Sequence, residues 1–117
     1  MADKIKIVHY INQFFAGIGG EEAAHCPVQF EDGAKGPAVG IAGILGDSAE
    51  IVRTIWCGDN LINENQQESL AEIEILIREA APDVVIAGPA FNAGRYGIAC
   101  GLVGKLCKEK LNIPALT

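Results

Sequence analysis

The fold is decided by residues 50–88, which read EIVRTIWCGDNLINENQQESLAEIEILIREAAPDVVIAG. This stretch begins and ends with short runs of apolar and β-branched residues, Glu50–Cys57 and Asp83–Gly88, which are typical of buried strands. Between them lies a helix pattern, in which apolar residues recur every three or four positions until Pro82 ends it. A strand, a helix and a second strand in this order predict one unit of a parallel sheet.

The same alternation continues on both sides of this unit. An apolar run at Ile5–Ile11 predicts a first strand, a helix pattern covers about Ala93–Lys110, and Ile113–Thr117 begins a last strand. Such a chain predicts an α/β fold with an open parallel sheet of about four strands and helices on both faces, Rossmann-like or flavodoxin-like. Because crossovers are right-handed, the expected strand order is 2-1-3-4. Residues 23–36 have no clear period and are expected to form a long surface loop.

The length of the chain predicts one domain. It has 117 residues, and 50 % of them are hydrophobic, so residues 1–117 are expected to form a single α/β domain. Sheets of this type normally continue, whereas the last predicted strand is followed by no helix pattern. We therefore expect residues 1–117 to be the amino-terminal part of a longer polypeptide.

The charge of the chain argues against two classes of partner. The formal net charge is −6, and both nucleic acid and anionic membranes require Lys and Arg to neutralise phosphate. No apolar run approaches the roughly 20 residues that cross a bilayer, and residues 1–4 lead directly into a strand pattern without the layout of a signal peptide. We expect a cytoplasmic protein that binds neither nucleic acid nor membranes.

The four cysteines, Cys26, Cys57, Cys100 and Cys107, form no C-x-x-C pair, and no histidine lies at zinc-finger spacing from them. They are expected to be buried or half-buried free thiols, and no metal site is expected. Cys57 lies near the predicted cleft but has no evident base. His9 lies inside a strand and is interpreted as a core residue with satisfied hydrogen bonds. We therefore assign no catalytic residue to this chain.

Polar residues follow the predicted strands at their carboxyl ends, where open parallel sheets bind ligands. Three loops are expected there, at residues 12–22, 58–60 and 88–96. Their side chains predict a cleft for a substrate or a subunit; the candidates are Asn12, Gln13, Asp59, Asn60, Asn92, Arg95 and Tyr96. Gly94 and Gly97, in the first turn of the last helix, would offer backbone amides to an anion such as a substrate carboxylate, and Arg95 would add a charge-assisted hydrogen bond.

Two glycine-rich patterns leave alternatives open. The glycines of residues 17–20 do not have the spacing of a dinucleotide or phosphate loop, and two glutamates follow them, which favours a lid or a subunit-contact loop. The last helix carries a stripe of Gly94, Gly97, Gly101 and Gly104, and each glycine costs about 1 kcal/mol relative to alanine. The stripe predicts close packing on the sheet or on a neighbouring chain.

Three segments are too particular for a generic sheet. They read VHYINQFFAGIGGEE at residues 8–22, CGDN at residues 57–60 and AGPAFNAGRYGIACG at residues 87–101. Across essentially the whole chain, they resemble the start of the selenoprotein subunit of component B in the glycine, sarcosine and betaine reductases of amino-acid-fermenting anaerobes.

The resemblance implies the reductive cleavage of a carbon–nitrogen bond. In that family, a selenocysteine of component B attacks the α-carbon of a small amino-acid substrate and displaces ammonia or a methylated amine. In the glycine enzyme, a pyruvoyl-bearing partner subunit first holds the amine as a Schiff base. The carboxymethyl group then passes to the selenoprotein of component A, component C converts it to acetyl phosphate, and thioredoxin-type dithiols restore the reduced state.

The family's selenocysteine lies in a U-x-x-C-x-x-C motif far downstream of the aligned region, and these 117 residues contain no such pattern. The resemblance therefore implies a domain that is inactive alone, binds no cofactor itself and shapes a cleft. Its partners would be the rest of its own chain, the pyruvoyl-bearing subunit, the component A selenoprotein and the substrate, which is glycine, sarcosine or betaine. The alternative is a stand-alone flavodoxin-like module that binds a small anion or cofactor, or docks another chain, without catalysis.

Overall fold

A computed structural model describes residues 4–13, 15–23, 25–36, 39–40, 43–44, 46–88 and 94–116. The strands are β1 (Ile5–Asn12), β2 (Gln29–Asp32), β3 (Ala49–Cys57), β4 (Val84–Ala87) and β5 (Ala115–Leu116). The α-helices are α1 (Asp59–Glu64), α2 (Gln66–Ala80) and α3 (Gly94–Leu106). A 3-10 turn covers Glu21–Ala23, and α3 continues as a π-helical segment, Cys107–Leu111.

The strands form one sheet in the order β2-β3-β1-β4-β5. β3, β1, β4 and β5 are parallel neighbours, and they correspond to the four predicted strands in the predicted order. The α/β class is therefore confirmed. The sheet differs from the prediction by β2, which pairs antiparallel with β3 at the edge, within the segment predicted to be a surface loop. All four residues of β2 are exposed, so its sequence lacks the alternation that reveals a half-buried strand.

The two faces of the sheet are covered differently, because successive residues of a strand point to opposite sides. One face, called here the helix face, carries Val8, Tyr10, Ile55, Cys57, Val85 and Ala87. These residues share the main core with buried residues of all three helices, including Ile62 of α1, Ile73 of α2 and Val103 of α3. The described cover of the opposite face comes from the β1–β3 connection, where Ala16 and Ala34 belong to two smaller apolar clusters.

Helix α2 ends before Pro82, as predicted. It begins after Asn65 and ends at Ala80, and Ala81 then adopts a left-handed conformation with φ of 47° immediately before Pro82. The side chain of Asn65 makes no capping hydrogen bond, so the helix start depends on the burial of Ile73 and Ile77 more than on its cap. Among the described helices, none has the length and apolar character that a membrane span requires.

Helix α3 buries one side and leaves its glycines on the other. Ala99, Cys100 and Val103 are buried, whereas Gly101 is exposed, and a β-carbon added there would meet no atom within 4 Å. Gly97 and Gly104 are half-buried. The prediction that the glycine stripe packs on the sheet is therefore wrong for Gly101, because the helix uses its alanine, cysteine and valine side for that contact.

Candidate functional site

The carboxyl ends of β1, β3 and β4 meet at one edge of the sheet, and three of the predicted site residues lie together there. Asn12 is the last residue of β1, Gln13 follows it, and Asp59 begins α1 directly after β3. Their exposed fractions are only 6 %, 3 % and 7 %. We call these three residues the polar cluster.

Hydrogen bonds join the members of the polar cluster to one another. Asn12 Nδ2 donates to Asp59 Oδ2 over 2.9 Å. The backbone N–H of Asp59 donates to Gln13 Oε1 over 3.1 Å. The same two amides also bind the loop after β1: the N–H of Phe15 donates to Asn12 Oδ1 over 3.0 Å, and Gln13 Nε2 donates to the carbonyl of Gly20 over 3.3 Å.

The polar cluster therefore fixes the loops at this edge. A buried carboxylate is costly unless hydrogen bonds compensate it, and the amide of Asn12 provides one such bond to Oδ2 of Asp59. The side chains of Asn12 and Gln13 turn inward and use both amide atoms within the protein. Their direct contribution is to hold residues 15–20 and the β3–α1 turn in one arrangement.

The other predicted site residues have different positions. Asn60 is half-buried in the first turn of α1, and Gly94, Arg95, Tyr96 and Gly97 form the first turn of α3. Asn92 lies outside the described residues. The structure thus brings Asn12, Gln13 and Asp59 together, and the role of all these residues as substrate or anion contacts stays a prediction.

Burial holds three of the four thiols in their protonated form. Cys57 Sγ lies 3.4 Å from the hydroxyl of Tyr10, and both side chains are fully buried. Burial raises the pKa of Cys57 to about 12 and that of Cys107 to about 11. Burial, followed by the nearby Asp59 charge, also raises the pKa of the half-buried Cys26. These are buried or half-buried free thiols, as predicted, and they are poor nucleophiles at neutral pH.

The hydrogen bonding of His9 differs from what the sequence predicted. Its side chain is fully buried, and Nε2 is hydrogen-bonded to the carbonyl of Gly88. Because a carbonyl only accepts, Nε2 carries the hydrogen, which leaves Nδ1 as an acceptor, and Nδ1 has no hydrogen-bond partner among the described residues. The expectation of a satisfied core histidine is therefore wrong for one ring nitrogen.

The position of His9 connects it to the predicted cleft. The N–H of Gly88 donates to the carbonyl of Tyr10 over 3.0 Å, so neighbouring residues of β1 bind both the N–H and the carbonyl of Gly88. Gly88 is the residue from which the chain leaves β4 toward α3, so His9 fixes the start of that connection. No signal in the sequence reveals this contact, because it depends on the register between β1 and β4.

The glycine-rich loop after β1 is occupied by a side chain of its own. The N–H of Gly20 donates to Glu22 Oε1 over 3.0 Å. Hydrogen bonds from the backbone of Glu22 itself and of Gly20 lower the pKa of Glu22. The carboxylate thus binds an amide that a phosphate loop would offer to its ligand, which agrees with the sequence argument against such a loop. Among the described residues, no group of three or more His, Cys, Asp or Glu side chains is arranged to hold a metal ion.

One family model and several curated proteins match this chain over nearly its whole length. A family model described as glycine/sarcosine/betaine reductase selenoprotein B matches residues 4–117. The chain is 53 % identical over 114 residues to the sarcosine reductase complex component B subunit beta of Peptoclostridium acidaminophilum. It is 51 % identical over 113 residues to the glycine reductase complex component B subunit gamma of Symbiobacterium thermophilum. It is 41 % identical over 112 residues to the betaine reductase complex component B subunit beta of P. acidaminophilum.

These alignments cover 97 %, 97 % and 96 % of this chain but only 26 %, 26 % and 25 % of the relatives. The chain therefore spans about a quarter of the length of the curated relatives that it matches. No solved structure matches the chain significantly. The match across residues 4–117 shows that this chain belongs to the glycine/sarcosine/betaine reductase selenoprotein B family.

Proposed function

We propose that this chain is the amino-terminal domain of a component B subunit of a glycine, sarcosine or betaine reductase, where it forms part of a cleft for the substrate or a partner subunit. One observation carries the proposal: the family match extends across residues 4–117. The three relatives described above are named as component B subunits of the sarcosine, glycine and betaine complexes.

The described residues support a binding and positioning role. Cys57 and Cys107 are held as thiols by burial, and the members of the polar cluster are joined to one another by hydrogen bonds. None of these residues fits the role of the family's selenocysteine. We therefore assign the chemistry to the rest of the polypeptide and to the pyruvoyl-bearing partner subunit, and we assign no reaction step to residues 1–117.

The start of α3 is the proposed substrate contact. This helix has 13 residues and follows β4, so its amino end lies beyond the carboxyl edge of the sheet. Backbone N–H groups and the helix dipole make such an end favourable for a carboxylate, which glycine, sarcosine and betaine all carry. We place the carboxylate at the amides of Gly94 and Gly97, with Arg95 as its cationic partner.

A reconstituted reductase reaction tests the proposed function. Component B that contains this chain is combined with component A, component C and a dithiol, and acetyl phosphate is measured with each substrate in turn. We expect acetyl phosphate to form with glycine, sarcosine or betaine. Absence of product with all three, in a preparation where the other components are active with a known component B, would contradict the proposal.

The substrate contact has a test of its own in the same assay. Arg95→Gln removes the cation and is expected to raise KM about tenfold, in line with the loss of a charge-assisted hydrogen bond. Arg78→Gln is the control, because Arg78 pairs with Glu74 on the outer side of α2 and is half exposed. An unchanged KM for Arg95→Gln would remove Arg95 from the site and leave the family assignment intact.

A further inference from the structure

Among the described strands, β5 forms an apolar sheet edge without a pairing partner on its outer side. This strand pairs with β4 through Ala115 and Leu116 and is the last strand in the sheet order. Leu116 is 61 % exposed, and neither residue of β5 is charged. The free edge of a strand offers unpaired N–H and carbonyl groups to another strand.

A groove runs along this edge, between β5 and the end of α3. It has a volume of about 470 Å³ and is lined by Gly104, Lys108, Asn112, Ile113, Pro114 and Ala115. The groove is therefore shared between the strand, through Ala115, and the helix, through Gly104.

The outer side of α3 continues the same surface. Gly101 lies one turn before Gly104 and is exposed with open space around it, and Ile98 is 54 % exposed. A glycine inside a helix costs about 1 kcal/mol relative to alanine, and no contact within the described structure compensates this cost at Gly101. A helix side without side chains allows a second helix to approach closely, since the distance between packed helices depends on the side chains at the contact.

One occupant accounts for the strand edge, the groove and the glycines together. β4 and β5 were each added outward in the sheet, and the helices that precede them, α2 and α3, lie on the same face. A right-handed crossover to another outward strand places its helix on that face again, beside α3. The relatives supply enough chain for such a unit, because the matched region is only 26 % of their length.

We propose that a further helix–strand unit of the same polypeptide covers this surface, with its strand paired to β5 and its helix packed on the glycine side of α3. The inference concerns the assembly of the fold, and it holds or fails independently of the reaction.

Thiol labelling of the polypeptide as its source organism produces it tests this inference. Leu116→Cys and Ile75→Cys are modified with a maleimide, and the labelled peptides are quantified by mass spectrometry so that the native cysteines are read separately. Ile75 is the matched control, because it is 57 % exposed on α2. We expect Leu116→Cys to react at least about tenfold more slowly than Ile75→Cys in the native protein and equally fast in denaturant, because a paired and packed site reacts only after local opening.

A second pair of variants tests the helix contact. Gly101→Leu adds bulk on the glycine side of α3 and is expected to lower the midpoint of thermal unfolding, whereas Ala71→Leu adds bulk at an exposed position of α2 and is expected to leave it unchanged. Equal labelling rates of Leu116→Cys and Ile75→Cys in the native protein would overturn the inference. Equal midpoints of thermal unfolding for Gly101→Leu and Ala71→Leu would overturn it as well.

Two other outcomes also overturn it, and they identify a different occupant. Protection of Leu116→Cys that disappears when a dimer dissociates on dilution would assign the surface to a second copy. Protection that requires other purified subunits would assign it to the complex. Acetyl phosphate formation by the same preparation reports on the proposed function separately.

Discussion

Asn12 binds a buried carboxylate and a loop amide at the same time. Its Nδ2 donates to Asp59 over 2.9 Å, and its Oδ1 accepts from Phe15 N over 3.0 Å. In Asn12→Ala both groups lose this partner in an environment where water does not replace it. The unfolding free energy is therefore expected to fall by about 1–3 kcal/mol, measured by urea denaturation.

Gln67→Ala is the control for this variant. Gln67 is an amide residue on the exposed side of α2, so its removal is expected to change the unfolding free energy by less than about 0.5 kcal/mol. Equal losses of stability in the two variants would show that the polar cluster contributes nothing particular to the fold.

His9 makes the stability of the protein dependent on pH. Burial is the main cause that lowers the pKa of His9 below its usual 6.5, while the hydrogen bond with Gly88 partly opposes this shift. The unfolded chain therefore takes up a proton near pH 6.5 that the folded chain resists, so stability is full above this pH and falls as the pH is lowered. The expected slope is at most about 1.4 kcal/mol per pH unit, measured by urea denaturation between about pH 7.5 and 5.5.

Two histidine variants check the source of this slope. His9→Gln is expected to flatten the pH dependence in this range, and His25→Gln is expected to keep it, because His25 is exposed and pairs with Glu64 at the surface. A slope that survives in His9→Gln and disappears in His25→Gln would contradict the account.

At the scale of residues, the position of the polar cluster was predictable from the sequence, but the hydrogen bonds among its side chains were not. Asn12 and Asp59 were predicted to converge because apolar runs end beside them and parallel strands end at one edge. Their hydrogen bond joins residues 47 positions apart, and no local pattern shows which side-chain atoms will meet across that separation. The hydrogen bonding of His9 was missed for the same reason, since the register between β1 and β4 decides it.

Among the elements, β2 is joined to α2 by one arginine of β3, in addition to its backbone pairing with β3 and the hydrogen bond from Trp56 Nε1 to Gln29 Oε1. Arg53 Nε donates to Asp32 over 2.9 Å, and Nη1 donates to the carbonyl of Leu76 over 3.0 Å and to Glu79 over 3.2 Å. The guanidinium also lies 4.2 Å from the centre of the Phe30 ring. Arg53 thus connects β2 to α2 through contacts that need a planar, forked cation.

Arg53→Lys tests this connection. A lysine keeps the charge but has no planar fork, so the amides of β2 are expected to exchange with deuterium about tenfold faster. Arg78→Lys is the control, because Arg78 contacts only Glu74 one turn away in the described structure. Unchanged exchange across residues 29–32 in Arg53→Lys would show that the β2–β3 backbone pairing alone holds the edge.

Elements with a periodic buried side were predictable from the sequence, and an edge strand without such a side was not. Helix α2 has apolar residues at helical spacing and a proline after its end, so its end followed from the sequence. β2 has four exposed residues, and its antiparallel pairing with β3 depends on the path of the chain. The glycines of α3 were predicted to pack on the sheet. The helix buries the side that carries Ala99, Cys100 and Val103 instead, and the spacing of the glycines alone does not show which side is buried.

For the whole molecule, the order of the four parallel strands followed from general rules on connections. Alternating strands and helices left few right-handed arrangements, and the observed sheet keeps the predicted order with β2 added at one edge. The cover of the sheet was less predictable. The helices α1, α2 and α3 share one face, whereas the described cover of the other face comes from the β1–β3 connection.

The intact mass of the native polypeptide, with selenium quantified on the same species, tests the claim that residues 1–117 are part of a longer selenium-containing component B subunit. We expect a chain about four times as long as this one, since the alignment covers 26 % of a relative, and we expect this chain to contain selenium. A native polypeptide of about 12.3 kDa that contains no selenium would contradict the claim.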